Sequence, residues 1–256
     1  MDRGTYAAAS DGLMQLRKLD ITTNNIANVK TAGFKKQVLI GNTQTFDETL
    51  ASLHGLNDPY AHYDQQRTPG IMNTYAVTDF SVGSIETTNN PLNVAIRNEH
   101  DFFVIQGVNG ETLYSKAGDF TLNSESELVT HDGKYVLGGG GPIATGGVGK
   151  ISIAPNGDIL SDNNVVGALT VVSIDDLSTL ERVGDNCFKV HEGASPNIEE
   201  VTPDLIENSL EMANVSAVNS ILDLITAHRG FQLYTQTAQS IDQMNQTAIT
   251  KLGASR

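Results

Sequence analysis

The apolar positions of this 256-residue chain follow a helical period at both ends and a strand period in the middle. Over residues 5–28 the apolar side chains recur mostly every three or four residues, which predicts one amphipathic helix. The stripe consists of Tyr6, Ala9, Leu13, Leu16, Thr23 and Ile26, interrupted by Asp20. Because it is narrow and mixed with Ala and Thr, it suits a seam between helices better than a globular core.

A second long helix is predicted near the C-terminus, where residues 214–252 contain no proline and a single glycine. Its first seam is Val215, Val218, Leu222 and Ile225, and its second is Phe231, Tyr234, Ala238, Ile241, Asn245, Ala248 and Leu252. Between them, at residues 228–230, the seam must rotate or the helix must bend. The simplest partner for this helix is the first helix, and the next simplest is another copy of the chain.

The middle of the chain consists of short runs rich in β-forming residues, separated by turn pairs such as Asn109-Gly110 and Asp132-Gly133. A spacing of roughly ten residues per strand favours an antiparallel sandwich or irregular barrel. The predicted fold class is α+β, with paired, coiled-coil-like terminal helices flanking an all-β domain. The predicted segments are an N-terminal helix (1–36), an extended connector with little regular structure (37–85), the β-domain (86–205) and a C-terminal helix (206–256).

Composition narrows the range of partners. The net charge is −14, although residues 1–40 carry six basic and three acidic side chains, so nucleic acid is not an expected partner. The single cysteine, Cys187, excludes an internal disulfide and is expected to be a small buried hydrophobe. We expect no membrane span and no signal peptide, hence a cytoplasmic location or export without a cleaved leader.

The sequence offers no set of residues with a catalytic, cofactor-binding or metal-binding pattern. The glycine-rich stretch 138–152 lacks the Gly and Ser/Thr of a phosphate loop, having Ala144 and Ile151 instead. Histidines beside carboxylates at 98–101 and 131–132 are more typical of an acidic surface than of a metal site. We therefore expect no cofactor and no small-molecule substrate, and Asn214 is expected to cap the last helix.

Three motifs carry a family resemblance that covers almost the whole chain: "NNIANVKTAGFKKQ" from residue 24, "VGSIETTNNPLNVAI" from residue 82, and the segment from residue 208 to residue 244. Together they resemble the flagellar basal-body rod proteins. Within that family the resemblance is strongest to the F type of the proximal rod, ahead of the G type of the distal rod and of the hook protein. An adhesin with a β-domain on a coiled-coil stalk, or a β-sandwich hydrolase, are the competing interpretations.

The resemblance implies a structural subunit that self-assembles through its terminal helices into a helical axial tube and transmits torque. It implies export through the flagellar type III apparatus to the periplasmic part of the basal body, and contact with other rod proteins and further copies of the chain. The residues expected at subunit contacts are Leu13, Leu16, Asn24, Asn25, Ile26, Asn28, Thr31, Gly33, Phe34, Lys35, Asn214, Val215, Val218, Leu222, Ile225, Arg229, Phe231 and Ile241.

Asparagine is a poor residue for a helix interior, yet three asparagines lie near the end of the first predicted helix. We expect Asn24, Asn25 and Asn28 to be buried by neighbouring chains, where paired amides fix the register between subunits. Gly33 is expected to end the helix with a positive φ, with Phe34 packed behind it. Lys35 and Lys36 are expected to compensate the negative end of the helix.

Overall fold

The computed structural model describes residues 3–44, 71–146, 149–162 and 164–253. The chain divides into two compact units. The first unit comprises residues 1–26, 37–77 and 217–256, and the second comprises residues 27–36 and 78–216. The combination of two terminal helices with a central antiparallel β region confirms the predicted α+β class.

Two long helices dominate the first unit. Helix α1 spans Arg3–Ala27 and helix α2 spans Ala217–Gly253, an unbroken run of 37 residues. Strands β1 (Gln37–Gln44) and β2 (Ile71–Thr78) form a separate two-stranded sheet. The predicted extent of α1 is therefore confirmed to within two residues, and α2 does not break at residues 228–230.

The two helices touch each other and run in opposite directions. A Cβ atom placed on Gly12 would lie 2.5 Å from the ring of Tyr234, so only glycine fits under that ring. Further along α1, the Lys18 ammonium lies 3.9 Å from the Asp223 carboxylate. Residue numbers rise along α1 as they fall along α2, so the pairing is antiparallel.

The second unit is built from short strands. In chain order they are β3 (Ile85–Thr87), β4 (Val94–Ile96), β5 (Asp101–Gln106), β6 (Thr112–Ser115), β7 (Thr121–Leu122), β8 (Leu128–Val129), β9 (Tyr135–Gly138), β10 (Gly141–Pro142), β11 (Ile151–Ile153), β12 (Asp158–Ser161), β13 (Asn164–Ala168), β14 (Val171–Ile174), β15 (Leu180–Gly184), β16 (Cys187–Val190), β17 (Ile198–Val201), β18 (Leu205–Glu207) and β19 (Ser209–Glu211).

Strand β5 is the centre of the largest sheet, whose main path is β15-β16-β6-β5-β9-β8-β7. It also pairs with β14, which in turn pairs with β17. Strands β11, β12 and β13 form a three-stranded sheet. Two short antiparallel pairs bring the end of the β region back to its beginning, because β18 pairs with β4 and β19 pairs with β3.

Both faces of β5 are buried. Its neighbouring residues Phe102 and Phe103 point to opposite sides, as alternation along a strand requires. Phe103 packs edge-on to Phe120 at a centroid distance of 5.0 Å, within one apolar cluster. Phe102 packs edge-on to Phe80 at 5.6 Å, within a second cluster that also contains Phe188.

Two predicted segments differ from the structure. The described ends of the predicted connector, 37–44 and 71–78, are strands and not irregular chain; residues 45–70 lie outside the described residues. The predicted C-terminal helical segment starts too early, because residues 206–211 belong to β18 and β19. Those residues alternate along an extended chain and find backbone partners in β4 and β3. None of the described helices has the length and apolar character needed to cross a membrane.

Candidate functional site

Residues 27–36 belong to the first of the three family-like motifs, and we call them the signature turn. They lie in the second unit and follow α1, which ends at Ala27. Gly33 has φ +67°, as predicted, but the helix has already ended six residues earlier. A Cβ atom on Gly33 would lie 2.3 Å from the backbone nitrogen of Ala117, and its own N–H donates to the Glu211 carbonyl at 2.7 Å. Gly33 is therefore required for a close backbone approach and does not serve as a helix C-cap.

A buried ion pair lies directly after this glycine. The Lys35 ammonium is 2.6 Å from Glu211 Oε1 and also donates to the carbonyls of Ser81 (2.8 Å) and Phe80 (3.1 Å). Both charged side chains are 1% exposed. Glu211 Oε1 additionally accepts the N–H of Gly83 at 2.8 Å. The expectation that Lys35 compensates the end of α1 is wrong, because its ammonium is held by a carboxylate 176 residues away.

Asn214 adds a second link between the same segments. Its Oδ1 accepts the backbone N–H of Lys36 at 2.7 Å, and its Nδ2 donates to the carbonyls of Asp79 (2.8 Å) and Ser81 (3.1 Å). The expected capping role is wrong, because α2 begins only at Ala217 and the amide is bonded elsewhere. We refer to the side chains of Lys35, Glu211 and Asn214 together as the clamp.

Next to the clamp, the side chain of Arg182 packs on the ring of Phe34. The Arg182 guanidinium lies 4.5 Å from the centre of the Phe34 ring, and it donates a short hydrogen bond to the Lys35 carbonyl. Asn186 donates to the carbonyl of Ala32 at 3.1 Å. A cation stacked on an aromatic face, away from water, is a favourable contact. The two hydrogen bonds hold the backbone of the signature turn at Ala32 and Lys35, on either side of the buried Gly33 and Phe34.

A second lysine is buried beside the clamp. Lys116 donates to the Asn98 carbonyl at 2.7 Å and lies 4.4 Å above the Phe102 ring. Its pKa is lowered to about 7, mainly by burial and also by the charge of Lys35, whereas the charge of Glu211 opposes the shift. Glu211 therefore interacts with two buried lysines. Its second oxygen, Oε2, is buried without a hydrogen-bond partner among the described residues.

Asn24, Asn25 and Asn28, which are expected at subunit contacts, lie in different environments. Asn25 is buried, and its amide pairs in both directions with the backbone of Gln37, at 2.8 and 3.0 Å. Asn28 Oδ1 accepts the hydroxyl of Thr31 at 3.2 Å. Asn24 is exposed. The amide of Asn25 is therefore paired within its own chain, by a strand that starts ten residues after α1 ends.

The fully buried residues of helix α1 are small or polar, whereas two of its leucines are exposed. Gly12, Thr22 and Asn25 are buried, whereas Leu13 is 54% and Leu16 is 40% exposed. We define the outer stripe of α1 as Ala9, Leu13, Leu16, Asp20 and Asn24, all exposed and spaced three or four residues apart. Ala9, Leu13 and Leu16 belong to the apolar stripe identified in the sequence, whereas Ile26 of that stripe is half-buried.

Helix α2 has two apolar faces. The inner face is partly or fully buried and consists of Leu224, Ala227, Phe231, Tyr234, Ala238 and Ile241. The outer stripe of α2 is exposed and consists of Val218, Ile221, Leu222, Ile225, Arg229 and Leu233. Val218 is 70% and Leu222 is 57% exposed. The change from the first seam to the second at residues 228–230 is therefore a change from the outer stripe to the inner face of one continuous helix.

The structure thus sorts the predicted contact residues by exposure. The exposed ones are Leu13, Leu16, Asn24, Val218, Leu222, Ile225 and Arg229. The half-buried ones are Ile26, Asn28, Thr31, Asn214, Val215, Phe231 and Ile241. The buried ones are Asn25, Gly33, Phe34 and Lys35. Sequence reasoning missed Glu211, Arg182 and the burial of Lys116, because their partners are distant along the chain and no local pattern marks them.

Within the described residues, no group of three or more His, Cys, Asp or Glu side chains could hold a metal ion. Cys187 is buried, as predicted, and burial raises the pKa of its thiol, which disfavours the nucleophilic thiolate. The two notable features are the clamp and the outer stripes.

Three family models match along the chain. A model described as "Flagella basal body rod protein" matches residues 8–35, one described as "Flagellar hook protein FlgE/F/G D1 domain" matches 95–171, and one described as "Flagellar basal body rod FlgEFG protein C-terminal" matches 206–251. The flagellar basal-body rod protein FlgF of Caulobacter vibrioides is 31% identical, with 99% of both chains covered. The chain belongs to the flagellar basal-body rod protein family.

Other relatives agree with this assignment. The rod protein FlgG of Agrobacterium fabrum is 28% identical, with 93% of this chain and 95% of the relative covered. FlgF of Escherichia coli K12 is 26% identical, with 94% and 95% covered. This rod protein is accordingly a structural component of the flagellar basal body, associated with other rod components, and not an enzyme. Within the clamp, Lys35 lies in the segment matched by the rod-protein model, and Glu211 and Asn214 lie in the segment matched by the C-terminal model. The clamp therefore joins these two matched segments.

Proposed function

We propose that this rod protein is a proximal-rod subunit that self-assembles through α1 and α2 into a helical tube and transmits torque. It reaches the periplasmic part of the basal body through the flagellar type III export apparatus, and there it packs against other rod proteins and further copies of itself. The 31% identity to FlgF of Caulobacter vibrioides, over 99% of both chains, supports the proximal position.

The observation that carries the proposal is the orientation of the two helices. Each exposes large apolar side chains on its outer stripe, Leu13 and Leu16 in the case of α1, which buries Gly12 and Thr22. Exposed apolar surface is unfavourable by roughly 25 cal/mol per Å² relative to burial, and contiguous apolar patches mark interaction sites. Two such stripes on one subunit supply the two different surfaces that an open helical assembly needs.

The predicted contact residues then have two roles. The exposed residues of the outer stripes contact neighbouring subunits directly, among them Leu13, Leu16, Val218, Leu222 and Ile225. The buried residues of the signature, such as Phe34 and Lys35, act within their own subunit by holding the turn that follows α1. The coiled-coil character of the α1–α2 pair is part of the same proposal and is supported by the contact between Gly12 and Tyr234.

Leu222→Asp tests the proposal, because it places a charge on the outer stripe of α2 without disturbing a buried residue. We expect cells carrying this variant to lose swimming and to yield basal bodies with incomplete rods, while the purified chain keeps its circular dichroism spectrum. Thr237→Asp is the matched control, since Thr237 is exposed on the same helix and lies between the outer stripe and the inner face. Normal swimming and complete rods with Leu222→Asp would refute the proposal.

The proximal position has its own test in the native host. Cells without this protein should yield basal bodies that lack the distal rod as well, because assembly beyond a missing proximal subunit cannot continue. Basal bodies with a complete proximal rod would place the subunit farther out.

A further inference from the structure

The outer stripes contain two charged positions, which are of opposite sign. Asp20 lies on the outer stripe of α1, four residues after Leu16, and Arg229 lies on the outer stripe of α2, four residues after Ile225. Both side chains are exposed, and neither has an ion pair among the described residues. A charge inside an apolar contact is costly unless it is paired, so each position requires an opposite charge on the surface that covers it.

Three other charged groups on these helices have partners within the chain. Lys18 pairs with Asp223, and Arg17 donates to the carbonyl and hydroxyl of Thr74 at 3.0 and 2.8 Å. These bonds leave Asp20 and Arg229 as the oppositely charged pair of the outer stripes. We propose that Asp20 of one copy pairs with Arg229 of a neighbouring copy and that this ion pair sets the register of their contact. The inference rests on the proposed assembly of copies through α1 and α2.

The direction of the two helices in that contact follows from symmetry. An open helical assembly places all copies in the same orientation along its axis, whereas a two-fold contact closes a dimer and stops growth. Because α1 and α2 are antiparallel within a chain, α1 of one copy meets α2 of the next in an antiparallel arrangement. The cross-chain register is therefore antiparallel.

This register also pairs the largest exposed apolar residues near the charges. Opposing Asp20 with Arg229 brings Leu16, four residues earlier on α1, opposite Leu233, four residues later on α2. Both leucines are exposed in the single chain. At 1.5 Å per residue, each leucine lies about 6 Å from its charged neighbour, so the ion pair and the apolar contact fit together. A parallel alignment would instead place Leu16 against Ile225.

Charge reversal tests the pair. We expect Asp20→Arg alone and Arg229→Asp alone each to abolish swimming, and the double reversal to restore at least half of the wild-type swimming zone. Because both residues are exposed, the purified variants should keep the circular dichroism spectrum of the wild type. Asp11→Arg is the matched control, since Asp11 is exposed on α1 but off the outer stripe, and these cells should swim normally.

Cysteine cross-linking tests the direction. Leu16→Cys combined with Leu233→Cys should give disulfide-linked oligomers in isolated basal bodies, whereas Leu16→Cys combined with Ile225→Cys should not. A cross-link only in the second combination would overturn the antiparallel register. A double reversal as inactive as the single variants would overturn the ion pair. If Leu222→Asp blocks assembly while the double reversal fails, assembly through the stripes stands and only the register proposal falls; if Leu222→Asp is harmless, the assembly proposal itself falls.

Discussion

The Lys35–Glu211 pair gives the sharpest stability prediction. Replacing Lys35 by Met removes the ammonium and leaves the Glu211 carboxylate fully buried, with only the N–H of Gly83 as a remaining donor. Breaking a buried ion pair by removing one partner costs about 3–5 kcal/mol. Since a domain is stable by about 5–15 kcal/mol in total, this single change should remove a large part of the stability of the second unit.

Replacing Glu211 by Gln should be at least as destabilising, because it leaves two buried lysines, Lys35 and Lys116, without that carboxylate. The double variant Lys35→Met with Glu211→Gln should be more stable than either single variant. Glutamine keeps an acceptor for the Gly83 N–H, and its amide can donate to the carbonyl of Ser81. A double-mutant cycle should therefore give a coupling free energy of about 3 kcal/mol or more.

The assay is urea unfolding of the full chain followed by far-ultraviolet circular dichroism, with hydrogen exchange of strand β19 as a local readout. Lys36→Met is the matched control. Lys36 pairs with Asp79 at 3.2 Å, but both side chains are about one-third exposed, so its loss should cost at most about 1 kcal/mol. Additive single effects, or a loss at Lys35 no larger than at Lys36, would refute the reasoning.

Two further predictions concern the neighbours of the clamp. Burial lowers the pKa of Lys116 to about 7 from an ordinary 10.5, so the unfolded chain binds more protons between these values and the free energy of unfolding contributed by this group rises with pH. The rise should approach about 1.4 kcal/mol per pH unit and should disappear in Lys116→Met; urea midpoints at neutral and mildly alkaline pH check this, and an unchanged slope contradicts it. Gly33→Ala should destabilise the chain more than Gly110→Ala: both positions have positive φ, which costs about 1–2 kcal/mol, but only at Gly33 does the added Cβ meet backbone. Equal losses in urea unfolding would contradict a packing role for Gly33.

The sequence predicts the helices well because their signal is local and repetitive. The period of three and four residues over 5–28 matches α1, and the same period marks α2. It does not reveal which face is turned inward, because both faces of α2 are apolar and Ile225 looks no different from Leu224. That choice is made by what α1 offers, including the space that Gly12 leaves for Tyr234.

The errors in the site have one physical origin. Local patterns place Lys35 and Asn214 at the nearest helix ends, because a single sequence shows only local partners for a charge or an amide. In the folded chain their side chains make hydrogen bonds with segments between 45 and 178 residues away. The strand Gln37–Gln44 has no clear local signal for a similar reason, since a strand with Gly and Asn in it is stabilised mainly by its pairing with β2.

The sequence separation of Lys35 and Glu211 also has a consequence for the timing of folding. A growing chain emerges with its N-terminus first, and the lysine then waits for a carboxylate made 176 residues later. Strands β3 and β4 likewise pair only with β19 and β18, which are made later. Until those last strands appear, the lysine stays hydrated and the early strands have unpaired edges. The sequence separation of these partners thus delays folding of the second unit, and the nascent polypeptide lacks these contacts for most of its synthesis.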